Sequence, residues 1–156
     1  MTAFAGRVLD FAASQIGVRE QPPGSNRGPV VDEYIRAAGL DPERSSYPWC
    51  ACFVVWSVRQ ATMGWAAPVR FRGSASVMGL LERNQELVVE APEPGVVFLH
   101  IRPDGRGHCG FVTGLRDDGD LVTIEGNTDP AGSRTGGQVM AQRRPRSYVQ
   151  HYLSIA

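Results

Sequence analysis

Residues 95–127 read GVVFLHIRPDGRGHCGFVTGLRDDGDLVTIEGN. Short apolar runs, GVVFLHI, HCGFVTGL and LVTIEGN, are separated by PDGRG and DDGD, whose proline and Asp-Gly pairs are the chemistry of tight turns. Runs of this length joined by such turns predict an antiparallel β-meander. QVMAQRR at 138–144 and YVQHYLSI at 148–155 continue the pattern as further strands.

Upstream of Pro92 and Pro94 the period changes. Phe4, Val8, Phe11, Ala12 and Ile16, then Val30, Val31, Tyr34, Ile35 and Ala38, recur at helical spacing and predict two amphipathic helices. EQPPGSNRG between them is a loop, and Gly39 is a stop for the second helix. Pro48 and Trp49 introduce CACFVVWSVRQATM, long, apolar and free of turn residues, which predicts a buried helix beginning near Cys50. A short helix is expected between Ser76 and Leu87. The expectation is an α+β fold, N-terminal helices packed on a C-terminal antiparallel sheet, in one domain over residues 1–156.

Composition narrows the chemistry. The chain has 156 residues, 16 basic and 16 acidic, with a pI near 6.8, so no broad positive field is available for nucleic acid or an anionic membrane. Every basic residue is arginine, which excludes Schiff-base chemistry, a Ser-Lys dyad and a phosphate-loop lysine. A base active near neutral pH must come from His100, His108, His151, a tuned carboxylate or a cysteine. Three cysteines, Cys50, Cys52 and Cys109, are too few for a disulfide framework, and the odd count leaves a free thiol. No stretch has membrane-spanning length, and the first twenty residues lack the order of a signal peptide.

Cys50 opens a helix, where backbone N–H groups favour negative charge and ease loss of the thiol proton. Its competing reading is a small buried residue. His108 follows Gly107 at the start of a strand, with Gly110 two residues on, which leaves room beside the ring. His100 and His151 sit in ordinary strand patterns and read as structural. Strand alternation would place Glu125 and Asn127 on one face and Ile124 on the other, so either polar group is available to orient the imidazole. EGNTD also fits a strand end running into a polar turn.

The pieces GVREQPPGSN (17–26), PWCACFVVW (48–56), GHCGFVTG (107–114) and IEGNT (124–128), in this order, resemble the CHAP family of cysteine, histidine-dependent amidohydrolases and peptidases. NlpC/P60 enzymes are similar. The resemblance implies a papain-like fold and cleavage of amide bonds in peptidoglycan stems or cross-bridges. It implies Cys50 as nucleophile, His108 as base, Glu125 as the orienting acid and Asn127 as an auxiliary group. Glu20 and Asn26 match the family's N-terminal segment and are expected at the cleft, as substrate contacts or as loop braces. Tyr47 and Trp49, just before the nucleophile, are candidates for its wall. Relatives often carry Pro-Gly-Asp where this chain has Pro94-Gly95-Val96, and small or aliphatic residues where it has Cys52 and Cys109. Both of these thiols are expected to pack.

Other readings compete. A zinc site from Cys50, Cys52, His108 and Cys109 is disfavoured, because neighbouring positions on a helix or strand point apart, and no metal or cofactor is expected. A non-catalytic module that binds wall peptides, or a thiol enzyme acting on another amide, would use the same cleft. The expected partner is peptidoglycan, with no nucleic acid, no membrane insertion and a monomeric state; any immunity or delivery partner is unspecified. The expected place of action is the periplasm or outer wall, reached by phage lysis or a secretion machine, as an endolysin, a toxin or part of a larger chain.

Overall fold

The structure is a computed structural model and describes residues 1–155. Helix α1 (Ala3–Ser14) is capped by Thr2, whose Oγ1 accepts from the Ala5 N–H at 3.1 Å, and it buries Phe4, Ala5, Val8 and Ala12. Its periodicity promised one more apolar position than it delivers. The helix ends before Ile16, which is 49% exposed, because Gly17 turns the chain with φ 98°. Helix α2 (Pro29–Ala37) starts on a proline, whose missing N–H costs nothing there, and buries Val31, Tyr34 and Ile35.

Helix α3 (Cys50–Thr62) is buried along most of its length and packs against α1, α2 and the sheet. Helix α4 (Val77–Arg83), capped by the Ser76 hydroxyl, is followed by a 3-10 turn at Gln85–Leu87, together filling the expected span. Strands β1 (Val88–Val89), β2 (Val97–Ile101), β3 (Gly107–Leu115), β4 (Leu121–Thr128), β5 (Gln138–Arg144) and β6 (His151–Leu153) form one antiparallel sheet in the order β1-β6-β2-β3-β4-β5. The fold is the expected α+β arrangement, with helices N-terminal and sheet C-terminal.

Two strand expectations change. YVQHYLSI is not one strand, because Pro145 ends β5 and Arg146–Tyr148 forms a 3-10 turn, leaving only His151–Leu153 in the ladder. Val88–Val89, unassigned from sequence, pairs with β6 as the sheet edge. DDGD is a hairpin turn, and two of its three acidic side chains are taken by Arg143, which reaches Asp120 at 2.6 Å and Asp118 at 3.0 Å.

The alternation of β3 and β4 divides the interior. Cys109, Phe111 and Ile124 pack with the helices, while Phe98, Val112 and Leu121 form a second apolar layer under Tyr148 and Val149. α3 can lie close to β4 because residue 126 has no side chain. A Cβ there would stand 2.7 Å from Phe53 Cβ and 3.0 Å from Trp49 Cζ3. Gly126→Ala is therefore expected to push α3 off the sheet and destabilise the protein by about 1–3 kcal/mol. That exceeds the gain of about 0.4–1 kcal/mol from a stiffer unfolded chain. The shift in denaturant midpoint measures the balance.

Candidate active site

The first turn of α3 is held from beneath. Trp49 is fully buried, and its indole N–H donates to Glu20 Oε1 at 2.8 Å, while the Glu20 backbone N–H donates to the Gly137 carbonyl at 2.9 Å. The loop after α1, the start of α3 and the β4–β5 connection are thereby tied together. Gly137, at φ 78°, gives the Glu20 carboxylate its space, since a Cβ there would meet Glu20 Cδ at 3.1 Å. Cys50 follows Trp49 as the first residue of the helix, where the opening N–H groups have no intrahelical acceptor.

Beside it lies a chain of buried polar groups. His108 Nε2 and Glu125 Oε2 are 2.7 Å apart, with both side chains fully buried. Glu125 also accepts from Thr123 Oγ1 at 2.6 Å and from Arg144 Nε at 2.8 Å, and Arg144 Nη2 closes a second bond to Oε2. Arg144 lies over the Tyr148 ring at 4.6 Å, and Tyr148 stacks on His100 at 3.9 Å. The 3-10 turn that interrupts the last strand thus roofs the buried charges. His108 Nδ1 has no ordinary hydrogen-bond partner and is the nitrogen left for the Cys50 sulfur, whose charge acts on the ring.

These contacts shift the ionisation of each member. The Cys109 thiol donating to its sulfur, opposed by burial and aided by His108 and the Ala51 N–H, holds Cys50 well below the usual thiol value of 9.0. Burial and the Cys50 charge push Cys109 well above it. Burial opposes a charged imidazole at His108, but Cys50 and Glu125 together raise it from 6.5 to about 9. At Glu125 burial opposes ionisation, and Arg144 and His108 overcome it to set the value at about 2. The two shifts run in the same sense, favouring a thiolate at Cys50 and an imidazolium at His108.

The remaining sequence candidates are distributed differently. Asn127 does not share the arrangement expected from alternation: the β4–β5 register slips between Glu125 and Thr128, Asn127 adopts φ 59°, and its Oδ1 accepts from the Gly137 N–H at 3.3 Å. Trp49 and Glu20 are buried against each other, so they brace the cleft from below and present no surface to a substrate. Asn26 is on a loop, where its Nδ2 donates to Ser46 Oγ at 3.0 Å and joins the segments on either side of α2. Tyr47 is half-buried and packs on the helical core. Cys52 is buried, which pushes its thiol up to about 12. Cys109 is buried and packs in the helical core, where its thiol also eases the ionisation of the neighbouring Cys50. Among the described residues no group of three or more His, Cys, Asp or Glu side chains converges as a metal site.

Sequence reasoning passed over Arg144 and Thr123. Thr123 carried a signal, since it lies two residues from Glu125 on the same strand face. Arg144 carried none, because only the β4–β5 pairing brings it to Glu125.

Cys50 borders a cleft of about 270 Å³ between the start of α3, the start of α4, the β2–β3 hairpin and the β4–β5 loop. A thiolate at a helix start, with a buried imidazolium and carboxylate behind it, is the arrangement of a cysteine hydrolase. The CHAP domain family model matches residues 42–127, more than half of the chain and the span holding Cys50, His108 and Glu125. The protein belongs to the CHAP domain family, whose domains are associated with amidase and peptidase activity toward peptidoglycan. Comparison with curated proteins gave no match, and neither did comparison with solved structures.

Two outcomes follow from the buried charges. His108 is raised, so the stability it contributes is complete below pH 6.5 and fades as the pH rises through about 9. Glu125 is depressed, so its contribution is complete above pH 4.5 and fades as the pH falls toward about 2. Alkylation of Cys50 by iodoacetamide should accordingly persist at pH values below the ordinary thiol range, whereas in His108→Ala it should require a higher pH. Arg144→Leu leaves the Glu125 charge buried without its partner and should cost about 3–5 kcal/mol in denaturant unfolding, with Arg144→Lys less damaging.

Proposed function

We propose that this protein hydrolyses an amide bond of bacterial peptidoglycan, in a stem peptide, a cross-bridge or the muramoyl–alanine link, with Cys50 as nucleophile, His108 as acid and base, and Glu125 as the residue that orients the ring. The observation that carries the reading is the 2.7 Å contact of His108 Nε2 with a buried carboxylate, which leaves Nδ1 for the thiol. A pure binding module has no need of a thiolate–imidazolium pair sustained by two further buried groups, each costly to desolvate.

In this mechanism the Cys50 thiolate attacks the carbonyl carbon, and the charge passes to the oxygen, which the Cys50 backbone N–H stabilises. The C–N bond breaks as His108 passes its proton to the leaving amine, giving a thioester and a neutral imidazole. Water, deprotonated by that imidazole, attacks the thioester, releases a carboxylic acid and restores the ion pair. Glu125, kept ionised by Arg144, stabilises the imidazolium and fixes which nitrogen faces sulfur. Asn127 acts indirectly, by holding the backbone of the β4–β5 loop. No metal takes part. The protein acts on the wall as a monomer, in the periplasm or outside the cell, delivered by phage lysis or a secretion machine.

Purified sacculi, with the released muropeptides read by mass spectrometry, report activity and bond together. Cys50→Ala should release nothing, and Cys52→Ala should retain most activity. Glu125→Gln should lose about a hundredfold, mainly in turnover, and Asn127→Ala less. Chelator should leave digestion intact. Undiminished digestion by Cys50→Ala would sink the mechanism.

A further inference from the structure

The charges behind Cys50 are internally matched: thiolate with imidazolium, Glu125 with Arg144. The charges in front of it are not. Arg106, from the β2–β3 hairpin, and Arg134, from the β4–β5 loop, both line the cleft that Cys50 borders, and no acidic residue lines it among the described residues. Arg102 stands on the same hairpin. One carboxylate, Asp104, answers this group, lying 3.7 Å from Arg106 and 3.6 Å from Arg102, longer than a direct hydrogen bond. Arg134 makes no hydrogen bond or salt bridge among the described residues. Its loop is nonetheless built: Arg144 Nη1 donates to the Gly132 carbonyl at 2.8 Å, the Ser133 N–H to Asp129 Oδ1 at 2.9 Å, and the Gly136 N–H to the Asn127 carbonyl at 3.1 Å. A guanidinium without a direct hydrogen-bond partner among the described residues, its charge answered only at longer range by Asp104, is thus mounted beside Cys50.

The rest of the cleft is small. Ala51, Ala75, Gly105 and Gly107 line it, and Gly107 admits no larger residue, since a Cβ there would stand 2.5 Å from the His100 carbonyl oxygen. We propose that Arg106 and Arg134 form an anion site that holds a free carboxylate of the peptide being cut. This rests on the amide-hydrolase reading and narrows its substrate to a peptide segment that carries a free carboxylate beside the bond cut. Planar guanidinium groups suit the paired oxygens of a carboxylate, and two of them on separate loops fix the peptide's register relative to sulfur.

The test uses the full chain carrying Cys50→Ala, titrated by calorimetry with a wall stem peptide bearing free carboxylates and with the same peptide amidated. The free-acid peptide should bind at least tenfold more tightly. Arg134→Gln and Arg106→Gln, added singly, should each weaken that peptide severalfold to tenfold and leave the amide unchanged, with Arg134→Lys intermediate; unchanged thermal midpoints verify folding. Equal binding of acid and amide, binding of neither, a preference untouched by both substitutions, or equal competition by inorganic phosphate overturns the site. Digestion of sacculi by the unsubstituted chain is scored separately. Carboxylate preference without digestion removes the wall-hydrolase reading and leaves the anion site, whereas digestion without preference removes the anion site alone.

Discussion

The carboxylate of Glu125 is enclosed by groups from three strands, and the ionisation of the whole site follows from how it is satisfied. Arg144 and Thr123 bond one oxygen, Arg144 and His108 the other. A single buried carboxylate beside an imidazole would tend to take up a proton, because burial penalises its charge. The arginine prevents this, the charged carboxylate then favours imidazolium, and the imidazolium favours thiolate. The reactivity of a thiol at the start of α3 is thus set partly by an arginine at the end of β5.

That arrangement needs β3, β4 and β5 in a fixed register and α3 pressed against them. Register comes from the meander, whose turns bring Gly110 opposite Glu125 and Met140 beside it. Gly110 matters here, because a Cβ would meet Glu125 Cγ and a Phe98 ring carbon at 2.9 Å. The helix comes close because Gly126 yields room to Phe53 and Trp49, and it is held by the Trp49–Glu20 bond. Glycines at 107, 110, 126 and 137 each mark a place where one segment of the site approaches another.

Arg144 also links the two halves of the cleft. It bonds Glu125 with one edge of its guanidinium and Gly132 with the other, so the group that maintains the buried charge also shapes the loop carrying Arg134. Satisfaction of a buried ion and placement of an exposed one share a single side chain. The Tyr148 ring covers this arginine and is itself stacked on His100, a contact made by the turn through Arg146–Tyr148 before the chain rejoins the sheet.

What was legible in the sequence was whatever short-range pattern determines. Period and turn chemistry marked α1, α2, α3 and the strands from β2 to β5, because amphipathic burial and Asp-Gly turns act over a few residues. Cys50 and His108 stood out by local placement, at a helix start and after a glycine, and Glu125 and Asn127 together by alternation on one strand. The tertiary structure alone decided the rest. Glu125 rather than Asn127 bonds the imidazole because a bulge rotates Asn127 out of alternation, and a bulge depends on what the neighbouring strand and loop require. Trp49 and Glu20 became a buried brace, Arg144 joined Glu125, and Cys109 came to serve the Cys50 sulfur, since each contact joins segments far apart in the chain. Pairing between distant residues is set by register and packing, and neither is written in the local period of the sequence.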